Sequence, residues 1–385
     1  MLVKLKDICT INPKAPTLVD DLEVSFVPMP KVGEQGEFDP SESKEYREVK
    51  KGFTNFQNGD VLFAKITPCM ENGKGAVANN LKNGYGFGST EFHVLRPDYS
   101  KATSEWLYYL TRWEEFRKEA EINMTGSAGQ KRVPKTFLEN YNVNLPELQK
   151  QKEMAEILDR IGELITLRKE QLAKLDQLVK SRFIELFEGS NYPFEPLDNN
   201  VIEMFIGPFG SSLKNEVFVD EEDGFCMVYE QKHAIQKTMD VPTRYVPKSK
   251  YEELKRFTIL GGDIIVSCRG TIGEIFVVPN DAPMGIMHPS IMKIRLNTEK
   301  YNQKFFVFAL EQYMDEHSAE AKGSGVKMAV SATVLGQSDF VIPPIDVQDQ
   351  FAAFVEQTDK SKLAIQQSLD KLELLKKALM QEYFG

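Results

Sequence analysis

The apolar residues of this chain follow two kinds of pattern, and the two alternate twice. Short runs rich in β-branched residues, bounded by Gly, Pro or Asn, fall at 60–66, 91–96, 263–268, 274–279 and 291–296, and this patterning predicts strands. Ser104 stands where it caps a helix over 105–120, and a counterpart helix is predicted near 303–321. Elsewhere the period lengthens. Ile157, Ile161, Leu164, Leu172, Leu175, Val179, Phe183 and Leu186 recur mostly every three or four residues. Phe351, Val355, Ile365, Leu369, Leu372, Leu375, Leu379 and Tyr383 do the same. The pattern predicts an α+β domain over 1–144, a long helix over 145–189, a second α+β domain over 190–341 and a second long helix over 342–385.

The second half of this plan copies the first. Residues 145–188 lie on 342–385 without a gap at a constant shift of 197, with 10 of 44 positions identical, among them Pro146/Pro343, Gln151/Gln348, Leu172/Leu369 and Leu175/Leu372. Upstream the register drifts: Gly59-Asp60-Val61-Leu62 matches Gly262-Asp263-Ile264-Ile265 at 203, and 92–96 matches 291–295 at 199. A helix with one apolar stripe is not stable alone in water, so each long helix needs a long partner. Its own copy fits. Two such helices of about 35 residues, at 1.5 Å per residue, form an antiparallel coiled coil on the order of 50 Å long. That arrangement sets the domains at opposite ends about a pseudo-twofold axis. Gly189-Ser190-Asn191-Tyr192-Pro193 closes the first helix and opens the second domain.

Composition narrows the class. With 385 residues, 42% hydrophobic and 10% aromatic, the chain reads as two or three ordinary globular domains. Charges interrupt the N-terminal apolar residues at once, and no run of 18 apolar residues occurs, so neither a signal-peptide core nor a spanning helix is expected. Cys9, Cys69, Cys226 and Cys268 lie far apart with no metal-ligand spacing, which points to a reduced, cytoplasmic protein without structural zinc. The balance of 47 basic against 57 acidic residues gives −10. A free-standing nucleic-acid binder is usually basic, so DNA binding here must come from local patches or from a basic partner.

The tandem plan, together with 145–153 (LPELQKQKE), 342–350 (IPPIDVQDQ), 269–274 (RGTIGE) and 59–65 (GDVLFAK), resembles the DNA-specificity (S) subunits of type I restriction-modification enzymes over essentially the whole chain. The resemblance implies two target-recognition domains, each reading half of an interrupted site on double-stranded DNA, held apart by paired helices that dock two methylation subunits. It implies that those partners carry S-adenosylmethionine and methylate adenine, and that restriction subunits using ATP and Mg join where present. No cofactor is implied for this chain. Half-sites read by a twofold arrangement lie roughly 34 Å apart, which a rod of the expected length suits. The first copy has Ile66-Thr67-Pro68 where the second has Arg269-Gly270-Thr271, so the two domains are expected to read different sequences.

Base readout needs Arg, Lys, Asn, Gln, Ser or Thr on loops that reach a groove, and a lone histidine is more often structural than a contact. In the first domain the candidates are Lys65, Asn72, Lys74, Ser127, Gln130, Lys131 and Arg132; the alternative is an ordinary solvated turn. In the second they are Lys232, His233, Arg269, Thr271, His288, Lys322, Ser324 and Lys327. Arg269 either forks onto a guanine edge or pairs with a carboxylate such as Asp263. Gly207-Pro208-Phe209-Gly210-Ser211-Ser212 reads as a tight turn or as a phosphate-contacting loop. The residues assigned to helix packing are Ile157, Ile161, Leu172, Leu175, Phe183, Val355, Ile365, Leu369, Leu372 and Leu379. No methyltransferase, P-loop, G-x-S-x-G or H-E-x-x-H motif occurs, and Glu48-Val49-Lys50 lacks the Pro-Asp of a nuclease triad. A coiled-coil adaptor binding only proteins, or a self-contained nuclease, are the competing readings.

Overall fold

The computed structural model describes residues 1–127, 129–269, 271–324 and 331–385, the side chains of 318–324 excepted. The chain forms two compact units, Met1–Gln171 with Ile365–Gly385, and Leu172–Ala364. Each unit therefore holds one globular domain and one half of each long helix.

In the first unit the chain runs through β1 (Leu2–Lys4), β2 (Cys9–Ile11), β3 (Glu23–Val27), β4 (Ser43–Glu45), α1 (Tyr46–Val49), β5 (Thr54–Gln57), β6 (Val61–Ala64), β7 (Gly75–Val77), β8 (Tyr85–Gly88), β9 (Phe92–Pro97), α2 (Ser104–Arg112), α3 (Glu114–Ile122), α4 (Lys135–Asn140) and β10 (Asn142–Asn144) into α5 (Leu148–Phe187). Two four-stranded sheets form, in the orders β2-β9-β6-β7 and β4-β3-β8-β5, and β1 pairs with β10. The pairing is antiparallel except for β3 with β8.

The second unit follows with β11 (Phe194–Pro196), β12 (Val201–Ile206), β13 (Cys226–Tyr229), α6 (Gln231–Gln236), β14 (Tyr245–Val246), α7 (Lys248–Glu253), β15 (Thr258–Ile259), β16 (Ile264–Ser267), β17 (Ile275–Val277), β18 (Gly285–Met287), β19 (Ile291–Leu296), α8 (Gln303–Ser324), α9 (Ala332–Gln337), β20 (Asp339–Val341) and α10 (Ile345–Phe384). Its sheets are ordered β12-β19-β16-β17 and β14-β13-β18-β15, β11 pairs with β20, and β13 with β18 is again the parallel pair. The first topology is reproduced strand for strand. The α+β expectation and the internal repeat both hold at this level.

Several local interactions recur with the repeat. Gly59 and Gly262 adopt positive φ, +88° and +84°, in the turn before β6 and β16, where a side chain would be strained. The aspartate that follows accepts both prongs of an arginine on the central strand: Asp60 from Arg96 at 2.8 and 2.8 Å, Asp263 from Arg295 at 2.7 and 2.7 Å. Both carboxylates are buried, which the bidentate pairing makes tolerable.

The long helices are 40 residues each and start at the expected shift, 148 against 345. In each unit the halves of α5 and α10 run antiparallel. Lys169 pairs with Glu373 at 3.1 Å, and Phe384 joins Met154, Ala155 and Leu158 in the first core. In the second, Phe183 and Phe187 each meet Phe351 edge to face with centroids 5.5 Å apart. Ile161, Leu172, Leu175, Phe183, Val355, Ile365, Leu369, Leu372 and Leu379 are buried or half-buried, as assigned. Ile157 is not: it is 42% exposed, because the buried stripe runs through Met154, Ala155, Leu158 and Ile161, which leaves position 157 on its flank. The single helix expected over 105–120 is two, since Trp113 leaves helical geometry at ψ 132° between α2 and α3. Its cap is Thr103, whose hydroxyl accepts from Trp106 N at 3.2 Å, and not Ser104.

One identical pair in the repeat explains how helix meets domain. Gln151 and Gln348 are each 0% exposed one turn into their helices. Gln151 accepts from Thr103 N at 3.0 Å and donates to Lys101 O and Pro146 O at 2.8 and 2.9 Å. Gln348 accepts from Asn302 N at 2.8 Å and donates to Lys300 O and Pro343 O at 2.9 and 2.8 Å. Both amides are thus satisfied by backbone at the entrance to α2 and α8.

Candidate nucleic-acid interface

In the first unit, a corner is built where β6 ends and β9 begins. Lys65 N donates to Glu91 O at 2.9 Å, Val133 N to Lys65 O at 2.9 Å, and Thr67 N to Lys131 O at 3.1 Å. Thr125 and Arg132 bridge in antiparallel fashion and close the base of the loop between them. Gly126, at φ +126°, sits where a Cβ would lie 2.8 Å from Gln130 O, so the turn demands glycine. Beneath the loop lies His93, whose Nε2–H donates to Val133 O at 2.8 Å while Asn12 donates to its Nδ1 at 2.9 Å. Burial holds this imidazole below its ordinary range, in the neutral form that this bonding requires.

The structure thus brings Lys65, Ser127, Gln130, Lys131 and Arg132 to one corner. Ser127, Gln130 and Lys131 are exposed. Arg132 is already engaged with Glu91, at 2.9 and 2.9 Å, and the hydrogen bonds from Arg132 hold that carboxylate below its ordinary range. Asn72 and Lys74 turn elsewhere: Asn72 donates to Glu34 at 3.0 Å and Lys74 to Met29 O at 3.4 Å. Two arginines missed by sequence reasoning grip this β6–β7 loop by its carbonyls. Arg117 donates to Glu71 O at 2.5 Å and Arg112 to Gly73 O at 3.0 Å. Their targets are backbone atoms, so no residue pattern announced them.

The equivalent corner of the second unit has different occupants. The β16–β17 turn is tied by Ser267, whose hydroxyl donates to Thr271 O at 2.7 Å and accepts from Glu274 N at 3.0 Å. Arg269 and Thr271 project from it and are exposed. Arg269 makes no ion pair with Asp263, one of its two readings; the buried Asp263 carboxylate is held by Arg295. Lys232 pairs with Glu230 at 2.7 Å, and Arg244 grips the same carboxylate. Burial opposes ionisation of Glu230, yet the two cations hold it below its ordinary range. His288 is half-buried; Ser290 N donates to its Nδ1 at 3.2 Å, which leaves the proton on Nε2. Backbone bonds from His288 N to Tyr229 O at 2.9 Å and from Cys268 N to Ser290 O at 2.8 Å bring the segments that carry Glu230, His288 and Arg269 together.

His233 is a correction. It is 0% exposed and packs on Tyr229, with ring centroids 5.3 Å apart, so it cannot reach a groove. An N-terminal position on a six-residue helix turned it toward the sheet, a placement that residue type alone could not reveal. The side chains of Lys322 and Ser324, and the whole of Lys327, lie outside the described residues. The 207–212 segment is a tight turn, with Ser212 N donating to Phe209 O at 2.8 Å and Gly207 N to Ile291 O at 3.0 Å. Among the described residues no group of three or more His, Cys, Asp or Glu is placed to hold a metal ion, and no helix is long and apolar enough to cross a membrane.

A family model described as the type I restriction modification DNA specificity domain matches residues 1–177 and 224–375. The chain is 42% identical over 197 residues to the type I restriction enzyme EcoAI specificity subunit and 40% identical over 199 residues to the EcoEI specificity subunit, both of Escherichia coli. Each match covers 49% of this chain and only 33% of the relative, so the matched stretch spans about a third of those proteins. Among solved structures, a chain from a study of complex assembly and conformational transition of the type I R-M system superimposes with a TM-score of 0.66 at 17% identity, covering 100% of this chain and 97% of that one. At that identity the likeness speaks for the fold.

Proposed function

Since the chain belongs to the DNA specificity (S) subunits of type I restriction-modification systems, we propose that each globular domain reads one half of an interrupted DNA site while the paired helices carry two methylation subunits. The observation that supports this most directly is one topology used twice with different residues at the same corner: Lys65, Gln130 and Lys131 in the first unit, Arg269, Thr271 and His288 in the second. A fold repeated with its projecting polar groups exchanged is suited to two distinct base sequences. Chemistry on the DNA falls to the partners in this reading: S-adenosylmethionine to the methylation subunits, ATP and Mg to restriction subunits where these join. The role of this chain is specificity, not catalysis. Its net charge of −10 fits a reader whose partners supply much of the phosphate contact.

Mapping methylated adenines in the host genome with and without this gene tests the proposal. Loss of one two-part motif with a fixed gap is expected. Unchanged methylation overturns the reading, and a protein-only adaptor predicts that unchanged map.

A further inference from the structure

We propose that Phe209 is a DNA-stacking residue of the second domain, placed to insert its ring against a base step of that domain's half-site while neighbouring cations face the phosphates. The inference rests on the reading of this unit as a DNA-recognition domain.

Phe209 is 86% exposed, more than any other large apolar side chain described. Among the described residues no aromatic ring or cation lies on it, although both ends of its loop are tied to the fold. On one side Gly207 is bonded to Ile291 O, and it lies so close to the next loop that a Cβ there would stand 2.3 Å from His288 O. Pro208 fixes the backbone before the apex. On the other side Leu213 is buried with Cys226, Val228 and Ile286. Both feet of the turn are anchored, so the aromatic tip is preorganised.

The surroundings say what would cover it. His288, against which Gly207 packs, donates its N–H to Tyr229 O at 2.9 Å, next to the Glu230 that Lys232 and Arg244 hold, and Cys268 N, next to Arg269, donates to Ser290 O at 2.8 Å. Glu230 offsets part of that charge, yet Arg269 has no carboxylate partner among the described residues. An apolar protein surface would have to desolvate these cations, whereas a duplex offers phosphates for them and a π-face for the ring. Aromatic and apolar side chains use such positions to stack on bases or wedge a step open. The first unit has no counterpart at this point: β2 runs straight into Asn12-Pro13-Lys14, with Asn12 N bonded to Val94 O. The effect is therefore confined to one half of the site.

The test uses the full chain assembled with its methylation subunits and a duplex carrying the motif taken from the host methylation map, with 2-aminopurine placed at each step of the second half-site in turn. The wild-type complex is expected to change the fluorescence at one step. Phe209→Ala is expected to abolish that change and weaken binding roughly 5- to 100-fold, and Phe209→Trp to restore both. Subunit stoichiometry is expected to be unaltered, since the ring holds nothing in place. Binding of Phe209→Ala within about twofold of wild type overturns the proposal. So does loss of assembly with unchanged DNA affinity in the surviving complex, which would make Phe209 a protein-docking residue. If the wild-type complex itself shows no motif-specific binding, the recognition reading fails first.

Discussion

Replacing Gln348 by leucine removes three hydrogen bonds at nearly constant volume. Gln348 is fully buried, and the groups it serves, Asn302 N, Lys300 O and Pro343 O, lie 2.8 to 2.9 Å from it. Water cannot replace the amide without opening the junction between α10 and the start of α8. A net contribution of about 1 kcal/mol per bond, and more for a donor left buried and unpaired, gives a loss of about 3 kcal/mol. For a unit of this size each kcal/mol moves the midpoint by about 2 to 4 °C, so thermal unfolding is expected some 6 to 12 °C lower. Hydrogen exchange should localise the damage to the Asn302 amide, leaving Thr103, which Gln151 serves in the first unit, protected. A midpoint shift below about 2 °C, or equal loss of protection at Thr103, would refute the clasp as the attachment of helix to domain.

Three further outcomes are expected. Phe351→Ala, at a fully buried ring with Phe183, Phe187 and Phe308 at 5.5, 5.5 and 5.2 Å, should cost about 3 to 5 kcal/mol in denaturant unfolding; a loss under about 1 kcal/mol would mean that this aromatic cluster does not hold the helix pair. Arg269→Ala should relax discrimination by about 1 to 3 kcal/mol in one half of the methylated motif only, read by sequencing of modified adenines; relaxation in both halves would count against separate readers. Burial lowers the pKa of His93, His233 and His288. The unfolded chain then binds more protons as pH falls below about 6.5, so their contribution is present above that pH and is lost on acidification. Denaturant midpoints should therefore drop between pH 7.5 and 5.5, and His93→Gln should flatten part of that slope.

The helices were legible in the sequence because their signal is long: forty residues of three-four periodicity, copied at one shift, leave little freedom. The strands on the central positions, such as β6, β9, β16 and β19, were legible as runs dominated by apolar residues. Of their neighbours only β17, expected over 274–279, was. β14 and β15 are two residues each, and β4 and β7 three, too short for a period of two to emerge. The site was half legible. Residue type and nearby glycine picked out Lys131, Arg269 and Thr271, which are exposed, whereas His233 is in the core, and Arg112, Arg117 and Arg244 went unnoticed because their partners are carbonyls or a carboxylate distant in sequence. The break at Trp113 had no proline or glycine to mark it.

What the repeat keeps and what it lets drift have one physical explanation. On the domain side, every atom that Gln151 and Gln348 touch belongs to the backbone: Thr103 N and Lys101 O in one unit, Asn302 N and Lys300 O in the other. A backbone address does not depend on which side chains surround it. Residues at positions 101 and 103, or 300 and 302, can change while the helix still finds its amide and carbonyl. The glutamine cannot change, because only a side chain that both donates and accepts, at that reach, satisfies both groups. The Asp60–Arg96 and Asp263–Arg295 pairs, side chain to side chain, recur inside the sheets with both partners kept. Attachment is thus carried by atoms other than the exposed side chains of the corner. Substitutions at the corner that holds Arg269 or Lys131 leave the clasp untouched, so under the proposed reading either domain can acquire a new sequence preference without loosening its helix.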